Sequence, residues 1–240
     1  HFKCHGTQVL VYRSTKMFWV PSSRSSNYRI KINNKGILMK LYHSPASPFV
    51  RKVVVLLHEL NKFDYVELKT VTTTALASDL SLIAANPLAR LPALERLNGV
   101  TLYDSRVITT YLDDFFQGKF YPSGDARWET LTLEATGDGV MDSAVSMVYE
   151  LRLRNEAEQS CDWIEAQWAK VERGLDALND HWLHHLSGPI CMGHISVACA
   201  LGYLDFRHKS RFWRKDREQL ASWYSKFSQR RSMQVTEPDG

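Results

Sequence analysis

Cysteine is scarce: four residues in 240, Cys4, Cys161, Cys191 and Cys199, with no CxxC pair among them. That spacing offers neither a disulfide framework nor a zinc-finger ligand set, and reduced thiols in a cytoplasmic compartment fit it. Long apolar runs are also missing. No stretch reaches the roughly 18 residues a membrane-spanning helix needs, and the apolar patch at 8–12 is too short and badly flanked for a signal-peptide core. Acidic residues are absent from residues 1–38, which hold seven Lys or Arg. This leader accounts for the whole positive excess, because 23 basic and 26 acidic residues remain at 39–240, a net charge of −3. The overall charge of +4 is therefore no nucleic-acid footprint. The leader is basic, Ser-containing and acid-free like a transit peptide, but it has no amphipathic period. It reads as a tag or non-native extension, with Met39 as the natural start.

Beyond residue 38 the hydrophobic period changes in a definite order. An apolar run at 37–42 reads as a strand, and Val50, Val53, Val54, Leu57 and Leu60 fall on one face of a helix over 49–60. Residues 64–71 alternate as a second strand, 75–85 form a weaker helix, and 92–96 with 101–103 flank the turn pair Asn98-Gly99 as a hairpin. A third helix spans 104–116. The order βαβαββα puts a parallel pair and an antiparallel hairpin in one sheet, a thioredoxin-like arrangement over 39–118. Pro122, Ser123 and Gly124 mark a linker at 119–124. Past this linker, 125–232 reads as an all-helical domain. Two long antiparallel helices span 127–155 and 158–186, a buried helix spans 195–206, and a last one spans 216–229. The tail at 233–240 is expected to fray.

Three local devices in 38–112 shape a ligand site. Ser47 opens the first helix, where its hydroxyl and the free N–H groups of the first turn face any anion placed there. A thiolate is such an anion, and each unit by which its pKa falls corresponds to about 1.4 kcal/mol of preferential stabilisation. A two-unit fall raises the thiolate fraction at pH 7 roughly 25-fold, but a Brønsted slope of about 0.4 to 0.5 gives most of a decade back. Holding thiol and electrophile together must therefore supply most of the acceleration. Ser44 is a second candidate for the hydroxyl. Pro92 opens a strand, where a cis bond would turn the Leu91 N–H and C=O outward toward an extended peptide. Asp104-Ser105 opens another helix, so Ser105 can act as its cap, with its N–H receiving a carboxylate while Asp104 meets an ammonium.

Read together, these residues resemble the glutathione transferase family. The run KLYHSPASPFVRKVVVLL is similar to the first strand and helix of its serine-type members, such as the tau, zeta and bacterial kinds. The resemblance covers nearly all of 39–231. It implies a detoxifying transferase in the cytoplasm, with glutathione as co-substrate and no further cofactor. Ser47 in the triplet Ser47-Pro48-Phe49 would face the sulfur. Phe49, Arg90, Leu91, Pro92, Asp104 and Ser105 would form the glutathione-binding set. NPLARLPAL carries Ala89 where the family commonly has glycine, so the preceding loop should differ there. The family's helical domain would hold a small hydrophobic electrophile, and two subunits would pair as a homodimer. No nucleic-acid or membrane partner is implied.

Other features carry less. His181, His184 and His185 have helical spacing suited to a metal, but the sequence places no further ligand beside them, and no metal is expected. The basic run from Arg207 to Arg217 reads as a solvated inter-helix loop. Met147, Tyr149, Trp163 and Trp168 each read as core. The family usually starts its buried helix with a Ser/Thr-x-x-Asp box, whereas Cys191-Met192-Gly193-His194 stands here, so the reciprocal cap should be missing and Cys191→Thr with His194→Asp should stabilise. Two rival readings remain: the same fold as a non-catalytic scaffold of the translation or stress-response type, and a thiol-disulfide reductase. The second needs a cysteine where Ser47 stands.

Overall fold

A computed structural model describes residues 8–12, 17–21, 36 and 38–238. In the leader, β1 (Gln8–Tyr12) pairs antiparallel with β2 (Met17–Pro21). Of the expected extension, residues 1–7, 13–16 and 22–35 lie outside the described residues, as does Ile37 at the start of the first expected strand.

β3 (Met39–His43) is the middle strand of a three-stranded sheet. β4 (Val66–Thr70) runs parallel to it with Met39 opposite Val66, and β5 (Ala93–Arg96) runs antiparallel with Tyr42 opposite Ala93. Strand alternation sends Met39 and Leu41 to one face, where α1 (Pro48–Glu59) and α3 (Ser105–Phe115) cover them. Tyr42 and Ala93 join Val71 and the α2 (Leu80–Ala85) residues Leu82 and Ala85 in a second cluster. The thioredoxin-like domain is thus present with two departures. Residues 101–103 form only a bridge, in which Leu94 and Leu102 exchange two 2.9 Å hydrogen bonds, because the cap of α3 begins at Asp104. The helix expected over 75–85 starts only at Leu80, because Asp79 takes the N-cap and accepts from the Leu82 N–H at 2.9 Å.

In the helical domain, α4 (Asp125–Leu153) and α5 (Cys161–His181) are the long pair. The helix expected over 158–186 breaks at Trp182 into α5 and the short α6 (Leu183–Leu186). α7 (Met192–Arg207) is buried almost all round and packs along α4. Their approach is close at Gly137, where a Cβ would fall 2.8 Å from the Ser196 carbonyl carbon. α8 (Glu218–Phe227) and α9 (Arg231–Gln234) close the fold. The tail differs from expectation: Met233 is buried and its carbonyl accepts from Arg51 Nη2 at 3.0 Å, tying α9 to α1.

Two further expectations change. The start of α7 is not without its reciprocal cap: the Cys191 N–H donates to His194 Nδ1 at 3.2 Å, an imidazole lone pair doing what a carboxylate usually does. The basic segment after α7 is largely exposed, as expected, but it is tethered rather than loose. Arg211 is paired with Glu165 at 2.6 Å, Arg214 with Asp205 and Arg217 with Asp176 at 2.6 Å, while Trp213 and His208 are buried.

The two domains meet around one cation. Lys52 on α1 has no exposed surface, and its Nζ lies 3.0 Å from Glu134 Oε1 and 2.8 Å from Asp138 Oδ1, both on α4. Tyr121 Oη reaches Glu134 at 2.9 Å, Ser196 Oγ stands 2.8 Å from Asp138 Oδ1, and Arg106 Nε on α3 stands 3.3 Å from Asp138 Oδ2. Two buried carboxylates thus face one buried ammonium and one half-exposed guanidinium, so the charges balance. Burial still pushes the Glu134 carboxyl up against the pull of Lys52.

Removing one partner of a buried pair strands the others, at a cost of about 3–5 kcal/mol. Lys52→Met should lower the unfolding free energy by that order in chemical denaturation, and a change under about 1 kcal/mol would show that the carboxylates neutralise cheaply. His208 supplies a pH dependence. Its Nε2–H donates to the Ala144 carbonyl at 2.9 Å, and burial, with Arg211 and Arg207 nearby, holds its pKa below the usual 6.5. The folded form therefore binds its proton less readily than the unfolded chain. That contribution is complete above pH 6.5 and is lost on acidification, with a slope of at most about 1.4 kcal/mol per pH unit. His208→Gln should flatten the stability profile below pH 6.5 in urea titrations; an unaltered slope would refute this.

Candidate active site

The sheet register gathers the three sequence devices at one end. β3 runs toward Ser44 and Ser47, and antiparallel β5 starts beside it, since Tyr42 pairs with Ala93. The Leu94–Leu102 bridge then brings Tyr103 and Asp104 back to the same edge. Ser44, Ser47, Leu91, Pro92, Asp104 and Ser105 therefore share a margin of the thioredoxin-like domain. A cavity of about 370 Å³ lined by Met39, Arg96, Asn98 and Tyr111 lies at the opposite end of β5 and takes no part in it.

Ser44-Pro45-Ala46-Ser47 forms a β-turn closed by the Ser47 N–H on the Ser44 carbonyl at 3.1 Å, with Pro45 at the position that favours its fixed φ. Ser47 is the N-cap of α1, and its Oγ accepts from the Val50 N–H at 3.3 Å. This bond uses an oxygen lone pair and leaves the hydroxyl proton free to be donated elsewhere. Pro48 has no N–H, so the Phe49 N–H is the one first-turn donor without a partner among the described residues. Phe49 is half-buried and packs against the main core. The Ser44 hydroxyl makes no hydrogen bond among the described residues, and it is part-exposed as well.

The Leu91–Pro92 bond is cis. Among the described residues neither the N–H nor the C=O of Leu91 has a backbone partner, so both are open to an extended peptide. The loop before it is held by the first residue of NPLARLPAL, to which the sequence assigned no role. Asn86 is buried, donates from Nδ2 to the Arg90 carbonyl at 2.8 Å and accepts from the Leu88 N–H at 3.0 Å. Ala89 sits at φ 50°, in the left-handed region where a Cβ crowds the backbone, which is the physical reason glycine suits this position. Arg90 is exposed beside it.

At α3 the capping roles are the reverse of those expected. Asp104, not Ser105, is the N-cap, and its Oδ1 accepts from the Arg106 N–H at 3.0 Å. Ser105 is the first helical residue and is buried, so its N–H remains available at the positive end of the helix. An aspartate accepts at an N-cap as well as serine does and stands one residue nearer the strand. The Tyr103–Asp104 peptide is cis. Arg106, not singled out in the sequence, spans Asp104 Oδ2 at 3.8 Å and Asp138 Oδ2 at 3.3 Å, joining this margin to the buried inter-domain cluster. Its signal was available: Glu134 and Asp138 lie four residues apart among apolar positions of α4, a pattern that calls for buried cations. Of the four residues expected in the core, Met147 and Trp168 are buried there, whereas Tyr149 and Trp163 are 43% and 48% exposed. No helix of the described residues is long and apolar enough to cross a membrane.

Relieving the left-handed strain gives a direct check on the loop. Ala89→Gly should raise stability by up to about 1 kcal/mol, the Cβ penalty less the entropy glycine returns to the unfolded chain, or a rise in Tm of a few degrees. A fall in Tm would show that the methyl contributes packing that outweighs the strain.

Comparison with known proteins places this geometry. Residues 41–120 match the model of the glutathione S-transferase N-terminal domain and 162–226 that of the C-terminal domain. The uncharacterized GST-like protein YibF of Escherichia coli K12 is 31% identical over 205 residues, covering 83% of this chain and 98% of YibF. A glutathione transferase family member from Pseudomonas fluorescens Pf-5, solved with bound glutathione, is 45% identical with a TM-score of 0.81 over 84% of this chain and all of that one. A glutathione S-transferase from Methylobacillus flagellatus KT with glutathione bound is 33% identical with a TM-score of 0.71 over the same share of each. With both domain models matched over more than half its length, the chain belongs to the glutathione S-transferase family.

Proposed function

We propose that this protein binds glutathione along the margin of its thioredoxin-like domain and transfers it to small hydrophobic electrophiles. The observation that carries the reading is the state of Ser47: its oxygen accepts from the Val50 N–H, which leaves its proton as a donor beside the unpartnered Phe49 N–H. Both donors converge on the start of α1, where the helix dipole also favours negative charge. A glutathione thiol placed there loses its proton to solvent, and the thiolate is held by the Ser47 hydroxyl. The free Leu91 backbone suits the cysteinyl segment of the tripeptide. The Ser105 N–H suits the γ-glutamyl carboxylate, and the exposed Asp104 carboxylate its ammonium. With an aryl halide, the sulfur forms the new S–C bond and the halide departs with its electron pair. Glutathione-bound relatives with 33% and 45% identity support the binding half of this reading. No further cofactor enters the scheme. We place the enzyme in the cytoplasm as a homodimer, in which exposed Leu97, Val100 and Val107 on the β5–α3 side would be covered.

Ser47→Ala removes one hydrogen bond to a charged group, worth about 1.5–3 kcal/mol, but the more basic thiolate it leaves is the better nucleophile, so kcat/KM with a chromogenic aryl halide should fall only about a few-fold at pH 7. The pKa of bound glutathione, read from thiolate absorbance, should rise by about 1–2 units with it. Ser44→Ala should leave both kcat/KM and that pKa at the parent value. If Ser44→Ala abolishes turnover and Ser47→Ala does not, the hydroxyl has been assigned wrongly. Retention on a glutathione matrix without turnover would favour the non-catalytic module.

A further inference from the structure

Two segments of the helical domain bring together side chains the glutathione site does not use. His185 in α6, Cys191 at the N-cap of α7 and His194 within its first turn each offer a metal-ligating atom, and these atoms lie within 4.8 Å of one another. Cys191 Sγ stands 3.1 Å from His194 Nδ1 and 3.7 Å from His185 Nε2. One zinc ion with bonds of about 2.3 Å to sulfur and 2.0–2.1 Å to nitrogen at a tetrahedral angle holds its S and N ligands about 3.6 Å apart. The two observed spacings bracket that value.

The surroundings suit metal ligation. His185 turns its other nitrogen, Nδ1, toward Glu129 Oε2 at 3.5 Å. A carboxylate on that side favours the tautomer with its proton on Nδ1 and the Nε2 lone pair facing the sulfur, the arrangement that orients metal-bound histidines. His194 is 2% exposed, and its Nδ1 accepts from the Cys191 N–H, so the lone pair of that nitrogen also lies on the sulfur side. Its Nε2 is buried without a hydrogen-bond partner among the described residues. Trp223 and Phe227 wall the ring, while His185, partly exposed, leaves a way in from solvent. His181 and His184, which the sequence groups with His185, are exposed and belong to no such group among the described residues. The expectation of no metal arose because only the fold brings Cys191 and His194 to His185.

We propose that His185, Cys191 and His194 bind one zinc(II) ion, with Glu129 orienting His185 and a water filling the fourth position. Binding releases the Cys191 thiol proton to solvent and exchanges the 3.2 Å hydrogen bond at His194 Nδ1 for a coordinate bond. The ion then pins α6 to the start of α7. This site is separate from the glutathione margin and stands whether or not that margin is catalytic.

The full chain, stripped of metal with a chelator, should be titrated with zinc by calorimetry in a Cys4→Ser/Cys161→Ser background, which removes the exposed Cys161 thiol and that of Cys4. One zinc per chain is expected, with proton release near pH 7. His185→Gln and Cys191→Ser should each weaken binding at least 10-fold, and Glu129→Gln roughly 10- to 100-fold. Cobalt(II) substituted for zinc should show a thiolate-to-metal charge-transfer band that Cys191→Ser abolishes. His185 is only partly buried, so its variant should fold even if Cys191→Ser does not. Absence of stoichiometric binding, a cobalt adduct lacking that band, or parent-like affinity in His185→Gln would each overturn the assignment.

Discussion

The Lys52 ammonium, sealed between the Glu134 and Asp138 carboxylates, is the contact on which the rest of the structure depends. α1 carries Ser47 at its start and Lys52 less than two turns later, so whatever anchors Lys52 also aims the Ser47 hydroxyl. A buried pair of this kind adds little net stability over an apolar substitute of the same shape, but it fixes one arrangement, because any shift leaves a charge unpaired in a medium that cannot solvate it. One apolar core runs through both domains, and the charge geometry fixes how they register across it.

The same cluster extends to the ligand margin. Arg106 touches Asp138 on its buried side and Asp104 on its exposed side, so the cap of α3 and the inter-domain anchor share one guanidinium. Asn86 does comparable work for the other wall, holding the loop before the cis Leu91–Pro92 bond through two hydrogen bonds. Residues that would touch glutathione are thus few, and Lys52, Asn86 and Arg106 position them from behind, the first two fully buried, as preorganisation of a site requires.

Much of this is legible in the chain itself. The period changes over 38–112 carry the β-α-β order, Pro92 marks the start of β5, and the turn-rich stretch at 122–124 marks the entry to α4. Local chemistry is less legible where two residues compete for one role. Asp104 and Ser105 are both good caps, and the one that wins depends on where the preceding bridge ends. No helix starts at Ala75 because Asp79 offers a better cap. The reciprocal cap of α7 is hard to see in the sequence because an imidazole, here that of His194, rarely serves as its acceptor.

The sequence by itself determined the two-domain plan, the family and the residues at the margin, since these rest on periodicity, turn chemistry and motifs read within short windows. Only the tertiary structure decided which charges are buried together, that the tail docks through Met233 on Arg51, and that His185 meets Cys191 and His194. These pairings join residues whose proximity depends on the angle and depth at which helices pack. Hydrophobic period says which face of a helix is inside, but not which polar side chain on a neighbouring helix will stand opposite it.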